Sequence, residues 1–107
     1  MPYDVRVLPR AEFDVQQIYN WLMERSPEGA LRWWVAFEEA IASISAQPSR
    51  LTLAPEDKWI DREMRQVLFK TAHGRYYRAL YVIVEDEVRV LRVRGPGQPD
   101  LDADELV

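Results

Sequence analysis

From Ala11 onward the apolar residues of this chain change their period once, past the middle of the sequence. Ala11, Val15, Ile18 and Leu22, and then Ala30, Trp33, Trp34, Phe37, Ile41 and Ile44, recur at the three-to-four spacing of amphipathic helices. From Met64 onward the period is two: Met64–Lys70, Arg75–Val84 and Val88–Arg94 alternate and are rich in valine, leucine and tyrosine, as strands are. A stretch patterned for one element does not settle as the other. Helices first and strands afterwards predict an α+β fold.

The boundaries follow from local chemistry. Tyr3–Leu8 alternates and reads as a short first strand ended by Pro9. Acids such as Glu12 and Asp14 stand near the positive end of the first helix, off its apolar stripe. Ser26-Pro27-Glu28 supplies an N-cap serine, a proline at the first helical position and an acid behind it, so a second helix starts almost without a loop and runs to about Ala46, where Pro48 stops it. Residues 48–62 look irregular. His73-Gly74 and Glu85-Asp86-Glu87 read as tight connections, which makes the three late strands an antiparallel meander. The apolar stripes of the hairpin need a cover, so the helices are expected on one face of the small sheet. The other face is left to solvent or to a partner. Which face that is stays open, because Tyr76, Arg78, Leu80, Val82 and Val84 on one parity and Arg75, Tyr77, Ala79, Tyr81 and Ile83 on the other are both partly apolar. Gly95-Pro96-Gly97-Gln98-Pro99 breaks structure. Residues 1–98 read as a single domain and 99–107 as an acidic, loosely held tail.

Composition removes several function classes. With no cysteine there is no disulfide framework and no thiolate chemistry, and with one histidine a zinc site would depend on carboxylates, so neither metal nor cofactor is expected. The chain has no apolar run of membrane-crossing length and no signal-peptide pattern after Met1, and a cytoplasmic domain without a membrane partner is the expectation. The net charge of -4 is unevenly spread: residues 62–94 hold 8 Lys/Arg against 4 Asp/Glu, while both flanking regions are acidic. The basic block is dominated by arginine, whose planar fork suits phosphate or carboxylate. Internal pairing with Glu63, Glu85, Asp86 or Glu87 accounts for the same residues equally well.

The candidate site residues lie in and around "TAHGRYYRALY", residues 71–81. His73 has the pKa class of a general acid or base, although a polar residue before a glycine at a strand connection is ordinary. Arg65, Arg78, Arg92 and Arg94 are suited to hold an anion, and Arg75, Tyr76 and Tyr77 to contact a partner. The tyrosines are also common packing residues on half-buried strands. Trp33 and Trp34 are adjacent on a helix and cannot share a direction; one enters the core, and Trp34 is taken as the exposed anchor.

The order of these elements, with "YDVRVLPRAEFDVQQIYNWL", "SPEGALRWWVAFEEAIASISAQP" and "MRQVLFKTAHGRYYRALYVIVEDEVRVLRV", followed by Gln98, resembles the ParE/RelE toxin superfamily of plasmid-stabilisation proteins over residues 3–98. The resemblance implies a small toxin neutralised by a cognate antitoxin, as a homodimer or a toxin–antitoxin hetero-oligomer. ParE-like members poison DNA gyrase by binding it, whereas RelE-like members cut mRNA on the ribosome. For a RelE-like nuclease, the resemblance would give Arg65, Arg78 and Arg92 to the phosphate and leave His73 as acid or base. However, no tyrosine or histidine follows Arg94, only Lys58 and Lys70 are lysines, and the acidic tail would repel RNA. The sequence therefore stands nearer ParE, with a non-toxic homologue that keeps only antitoxin binding as a further reading.

Overall fold

The computed structural model describes residues 2–60 and 62–106. It is an α+β fold with the expected order: β1 (Asp4–Val7), α1 (Pro9–Arg25), α2 (Pro27–Ala46), β2 (Met64–Phe69), β3 (Tyr77–Val84) and β4 (Glu87–Arg94). The sheet order is β1-β4-β3-β2, with β1 parallel to β4 and the other pairs antiparallel. Ser26 caps α2 as its chemistry suggested, its hydroxyl accepting from the Gly29 N–H at 3.0 Å. Pro9 does not merely end β1: it is the first residue of α1, where its missing N–H would have had no partner anyway.

The hairpin covers one face of the sheet. Val15, Trp33, Phe37 and Ile44 are buried there with Val67, Phe69, Ala79 and Tyr81, and Ile18, Leu22 and Ile41 pack around them. Ala30 is fully buried as well. The parity left open by sequence is thus decided, with Tyr77, Ala79, Tyr81 and Ile83 facing the helices. An aromatic group sets the end of the β2–β3 pairing: the Trp33 and Phe37 rings stack 5.8 Å apart, and Phe69 pairs in register with Tyr77, their rings 5.9 Å apart. Pairing stops at that point, so β3 begins at Tyr77 rather than Arg75. The connection through His73-Gly74 spans residues 70–76 and is not a tight turn.

The second face is not left open. Ala54 and Leu101 are buried against Met64, Leu80 and Val82, with Ile60, Val84, Leu91 and Leu106 around them. Two irregular stretches supply this cover, the short 3-10 turn Pro55–Trp59 and the segment ending in the 3-10 turn Ala103–Leu106. The tail expected to be loosely held is packed, because its Leu101 has an apolar seat 1% exposed to solvent. Val107, which belongs to that tail, lies outside the described residues. The outer edge of β2 is partly covered too: Gln66 N–H donates to the Thr52 carbonyl and Ala54 N–H to that of Met64, at 2.9 and 2.8 Å. Among the described residues no helix is long and apolar enough to cross a membrane.

Truncation of Phe37, which packs on Trp33, Trp34 and Phe69, should cost about 3–5 kcal/mol in the Phe37→Ala variant. Urea unfolding measures this, and an unchanged midpoint would contradict the hairpin placement.

Candidate functional site

Strand register gathers three of the predicted arginines on the second face. Arg78 stands opposite Arg94, and Leu80 opposite Arg92. A register shift at Leu80/Tyr81 makes this happen: Leu91 is the extra residue of a β-bulge, so Arg92 and Arg94 join Arg89 on a face that strict alternation would have denied them. Arg65 stands opposite Tyr81 and therefore belongs to the helix-covered face.

None of these arginines is free. Arg78 forms a two-pronged ion pair with Glu56, at 2.8 and 2.6 Å, and also reaches Gln66 and the Asp100 carboxylate. Glu56 is fully buried and accepts a third bond, from the Leu101 N–H at 2.8 Å. Burial alone would raise the Glu56 pKa; the bonds from Arg78 and Leu101 outweigh it and hold the carboxyl below the ordinary value of 4.5. In return Glu56 holds Arg78 more firmly in its charged form. Arg92 is clamped by Asp14 at 2.7 and 3.2 Å, and the same carboxylate caps the Val93 N–H at 3.0 Å. Arg65 donates to the Leu51 carbonyl and pairs with Glu63 at 2.6 Å. Arg94 donates to the Pro99 carbonyl at 2.8 Å, and its buried Nε has no partner among the described residues. Its pKa is lowered, first by burial and then by Arg92.

The internal-pairing alternative was thus right in kind and incomplete in detail. Glu63 pairs with Arg65 and Glu87 with Arg89, as that reading allowed. The two strongest partners, Glu56 and Asp14, were missed. Glu56 sat in a stretch with no periodicity to place it. Asp14 did carry a signal, since it lies one turn from both Ala11 and Ile18, on the apolar side of α1 rather than on its wet face. Leu101, the other residue missed, is an isolated apolar residue between Asp100 and Asp102.

The remaining candidates lie elsewhere. His73 is exposed in the β2–β3 connection, and no side-chain hydrogen bond joins it to the arginines among the described residues. Arg75 is exposed in the same loop, with no carboxylate paired to it among those residues. Tyr76 is 57% exposed and lies under the Lys70 ammonium, 5.2 Å from ring centroid to nitrogen. Tyr77 is half-buried against Trp33, and burial raises its pKa. Trp33 is the core tryptophan, and Trp34 is the exposed one, resting edge-on against Tyr19. Beside them a cavity of about 620 Å³ opens among Ile18, Trp21, Leu22, Trp33, Arg75 and Tyr77. What the arrangement offers is an aromatic contact surface with the cations Arg75 and Lys70 beside it, and a separate face on which Arg78 and Arg92 are paired with carboxylates.

Removing the carboxylate charge in Glu56→Gln should cost about 3 kcal/mol at neutral pH, because the largely buried Arg78 would keep only the water-exposed Asp100 carboxylate as counter-charge. The Glu56 pKa is lowered on folding, so this stabilisation is complete above 4.5 and is lost as pH falls below it. The stability gap between wild type and Glu56→Gln, followed by urea unfolding, should therefore narrow in acid; a gap independent of pH would contradict the pairing.

Comparison with known proteins places the chain. Residues 5–98 match the family model described as the ParE toxin of the type II toxin–antitoxin system parDE. Among solved structures, the chain is similar to one in the crystal structure of the toxin–antitoxin complex RelBE2 (Rv2865-2866) from Mycobacterium tuberculosis, at 24% identity and a TM-score of 0.46, over 88% of this chain and 98% of that one. No curated protein matches it in sequence. With the family match running through both helices and all four strands but for Asp4, the chain belongs to the ParE toxin family of type II toxin–antitoxin systems.

Proposed function

We propose that this toxin acts in the cytoplasm by binding DNA gyrase rather than by cutting RNA, within a plasmid-stabilisation system in which a cognate antitoxin neutralises it. The observation that carries this reading is the commitment of the strand arginines. A metal-free ribonuclease needs cations free to meet the charge that develops on phosphorus, and a base and an acid on either side of it. Here Arg78, Arg92 and Arg65 are tied to Glu56, Asp14 and Glu63. His73, the one histidine, stands apart from them in a loop.

What the surface offers instead suits a protein partner. Trp21, Leu31, Trp34 and Val35 leave between 39% and 58% of their surface in water along the hairpin; Arg75 lines one cavity with Trp21, and Tyr76 is exposed next to Arg75 in the β2–β3 loop. Exposed aromatic residues with a neighbouring arginine are the composition of interface hot spots. Arg75, Tyr76 and Trp34 are assigned the contact, with Tyr77 beside Arg75 in the cavity lining.

The test combines two readouts. Purified toxin should inhibit gyrase-dependent supercoiling, and its expression should induce DNA damage while mRNA stays intact. Arg75→Ala and Trp34→Ala should each weaken inhibition roughly tenfold, about 1.4 kcal/mol of binding, and His73→Ala should leave it unchanged. Cleavage of mRNA on translating ribosomes that is lost in His73→Ala would overturn the proposal in favour of the nuclease. Absence of toxicity would point to a homologue that only binds antitoxin.

A further inference from the structure

The cavity beside the hairpin is assembled from five stretches that only the tertiary fold brings together. α1 supplies Ile18, Trp21 and Leu22, α2 supplies Trp33, β3 supplies Tyr77, and the β2–β3 loop supplies Arg75, while the turn after β4 adds Gly95 and Gln98. Its volume of about 620 Å³ is that of a small-molecule site, and its walls have the matching composition, aromatic and aliphatic surface with a few polar groups. Part of the wall is fixed in advance. Trp33 is 2% exposed and packs on Phe37, Phe69 and Tyr77. Gly95 lies so close to the Tyr77 ring that a Cβ there would stand 3.2 Å from it.

The charge around the cavity has one sign. Arg75 is the one ionised side chain in its lining, and no Asp or Glu lines it. Arg25 lies over the Trp21 ring, 3.7 Å from guanidinium carbon to centroid. The Arg32 guanidinium comes within 3.9 Å of the place a side chain on Gly29, another lining residue, would begin. None of these three arginines forms a salt bridge among the described residues. Glu28, beside Gly29 in sequence, is exposed and does not enter the lining. A second feature is independent of charge: the Trp33 indole N–H is buried with no acceptor among the described residues, in a ring that lines the cavity. A buried indole N–H ordinarily has a partner.

We propose that this cavity binds a small planar aromatic carboxylate, its ring among Trp21, Trp33 and Tyr77 and its carboxylate on Arg75. The guanidinium fork matches a carboxylate in shape as well as charge, and the apolar walls suit an aromatic ring and not a sugar. A single anionic group meets the single cation of the lining. This goes beyond the protein contact proposed above, with which it shares Arg75; ligand binding is a property of the chain alone and is measured without gyrase or toxicity, so either reading fails without the other.

The probe is 2-naphthoate, titrated into the ¹⁵N-labelled full chain and followed by NMR at the indole N–H signals of its four tryptophans. The Trp21 and Trp33 signals should shift and saturate with a dissociation constant at or below about 1 mM, as expected for a ligand of this size. Trp59, which is not in the lining, should not move. Uncharged 2-naphthamide, and 2-naphthoate on the Arg75→Gln variant, should each bind at least fivefold more weakly; Arg75 is exposed, so that variant keeps the fold. Adenosine 5′-monophosphate, which joins a planar ring to a phosphate through a sugar, should bind at least tenfold more weakly than 2-naphthoate. Shifts that do not saturate, equal binding of the amide, indifference to Arg75→Gln, or tighter binding of the nucleotide overturns the proposal. So does movement of the Trp21 and Trp33 signals on raising protein concentration without naphthoate, which would give the cavity to a second copy of the chain.

Discussion

The buried pair between Glu56 and Arg78 is the interaction on which the second face depends. Removing a carboxylate and a guanidinium from water costs several kcal/mol each, and the attraction offsets this only when the remaining hydrogen-bonding capacity is met. It is met here. Glu56 receives both prongs of Arg78 and the Leu101 N–H, and Arg78 adds Gln66 and Asp100. One carboxylate thereby ties together three stretches distant in sequence: the irregular connection before β2, the middle strand, and the segment after β4. The apolar seat of Leu101 lies directly beside it, so the polar and apolar halves of this layer hold one another in place.

The same economy governs the charge of the sheet. A block with twice as many bases as acids looks in sequence like an anion-binding surface, yet acids brought from outside the block neutralise two of its strand arginines, Arg78 and Arg92. Asp14 comes from α1 and Glu56 from the connection between α2 and β2. Asp14 also caps the Val93 N–H at the edge of β4, just beyond the end of the short parallel strand β1, which pairs only as far as Val7 and Val90. A short β1 would otherwise leave that N–H unpaired, a cost comparable to a lost hydrogen bond. Arg94, with no salt bridge among the described residues, instead donates to the Pro99 carbonyl of the segment after β4.

The helix side follows a different logic. Trp33, Phe37, Phe69 and Tyr77 form a continuous aromatic contact between α2 and the β2–β3 pair, with ring centroids 5.5 to 5.9 Å apart. Aromatic pairs at such distances add to simple area burial. This cluster anchors one end of the hairpin and fixes where the β2–β3 loop leaves the sheet. The exposed residues Arg75 and Tyr76 are therefore presented from a rigid base, with Arg75 lining the same cavity as the outward-facing Trp21.

Element type, order and the helix-facing stripe were legible because they depend on periodicity and capping, which are local properties of a chain. The change of period at Met64, the Ser26-Pro27 start of α2 and the apolar spacing from Val15 to Ile44 determined the α+β class and the hairpin before any contact was known. The division of labour between Trp33 and Trp34 followed equally from helix geometry. The site was much less legible. Which side of β3 meets the helices depended on the sum of packing on two partly apolar faces, and which arginines share a face depended on a bulge at Leu91 that alternation cannot announce. Whether those arginines are free depended on Glu56 and Asp14, 22 and 78 residues away from the guanidiniums they hold. Periodicity carries no record of such distant pairings. They are set by where the folded backbone brings a buried charge, and a buried charge must find its partner wherever in the sequence that partner lies.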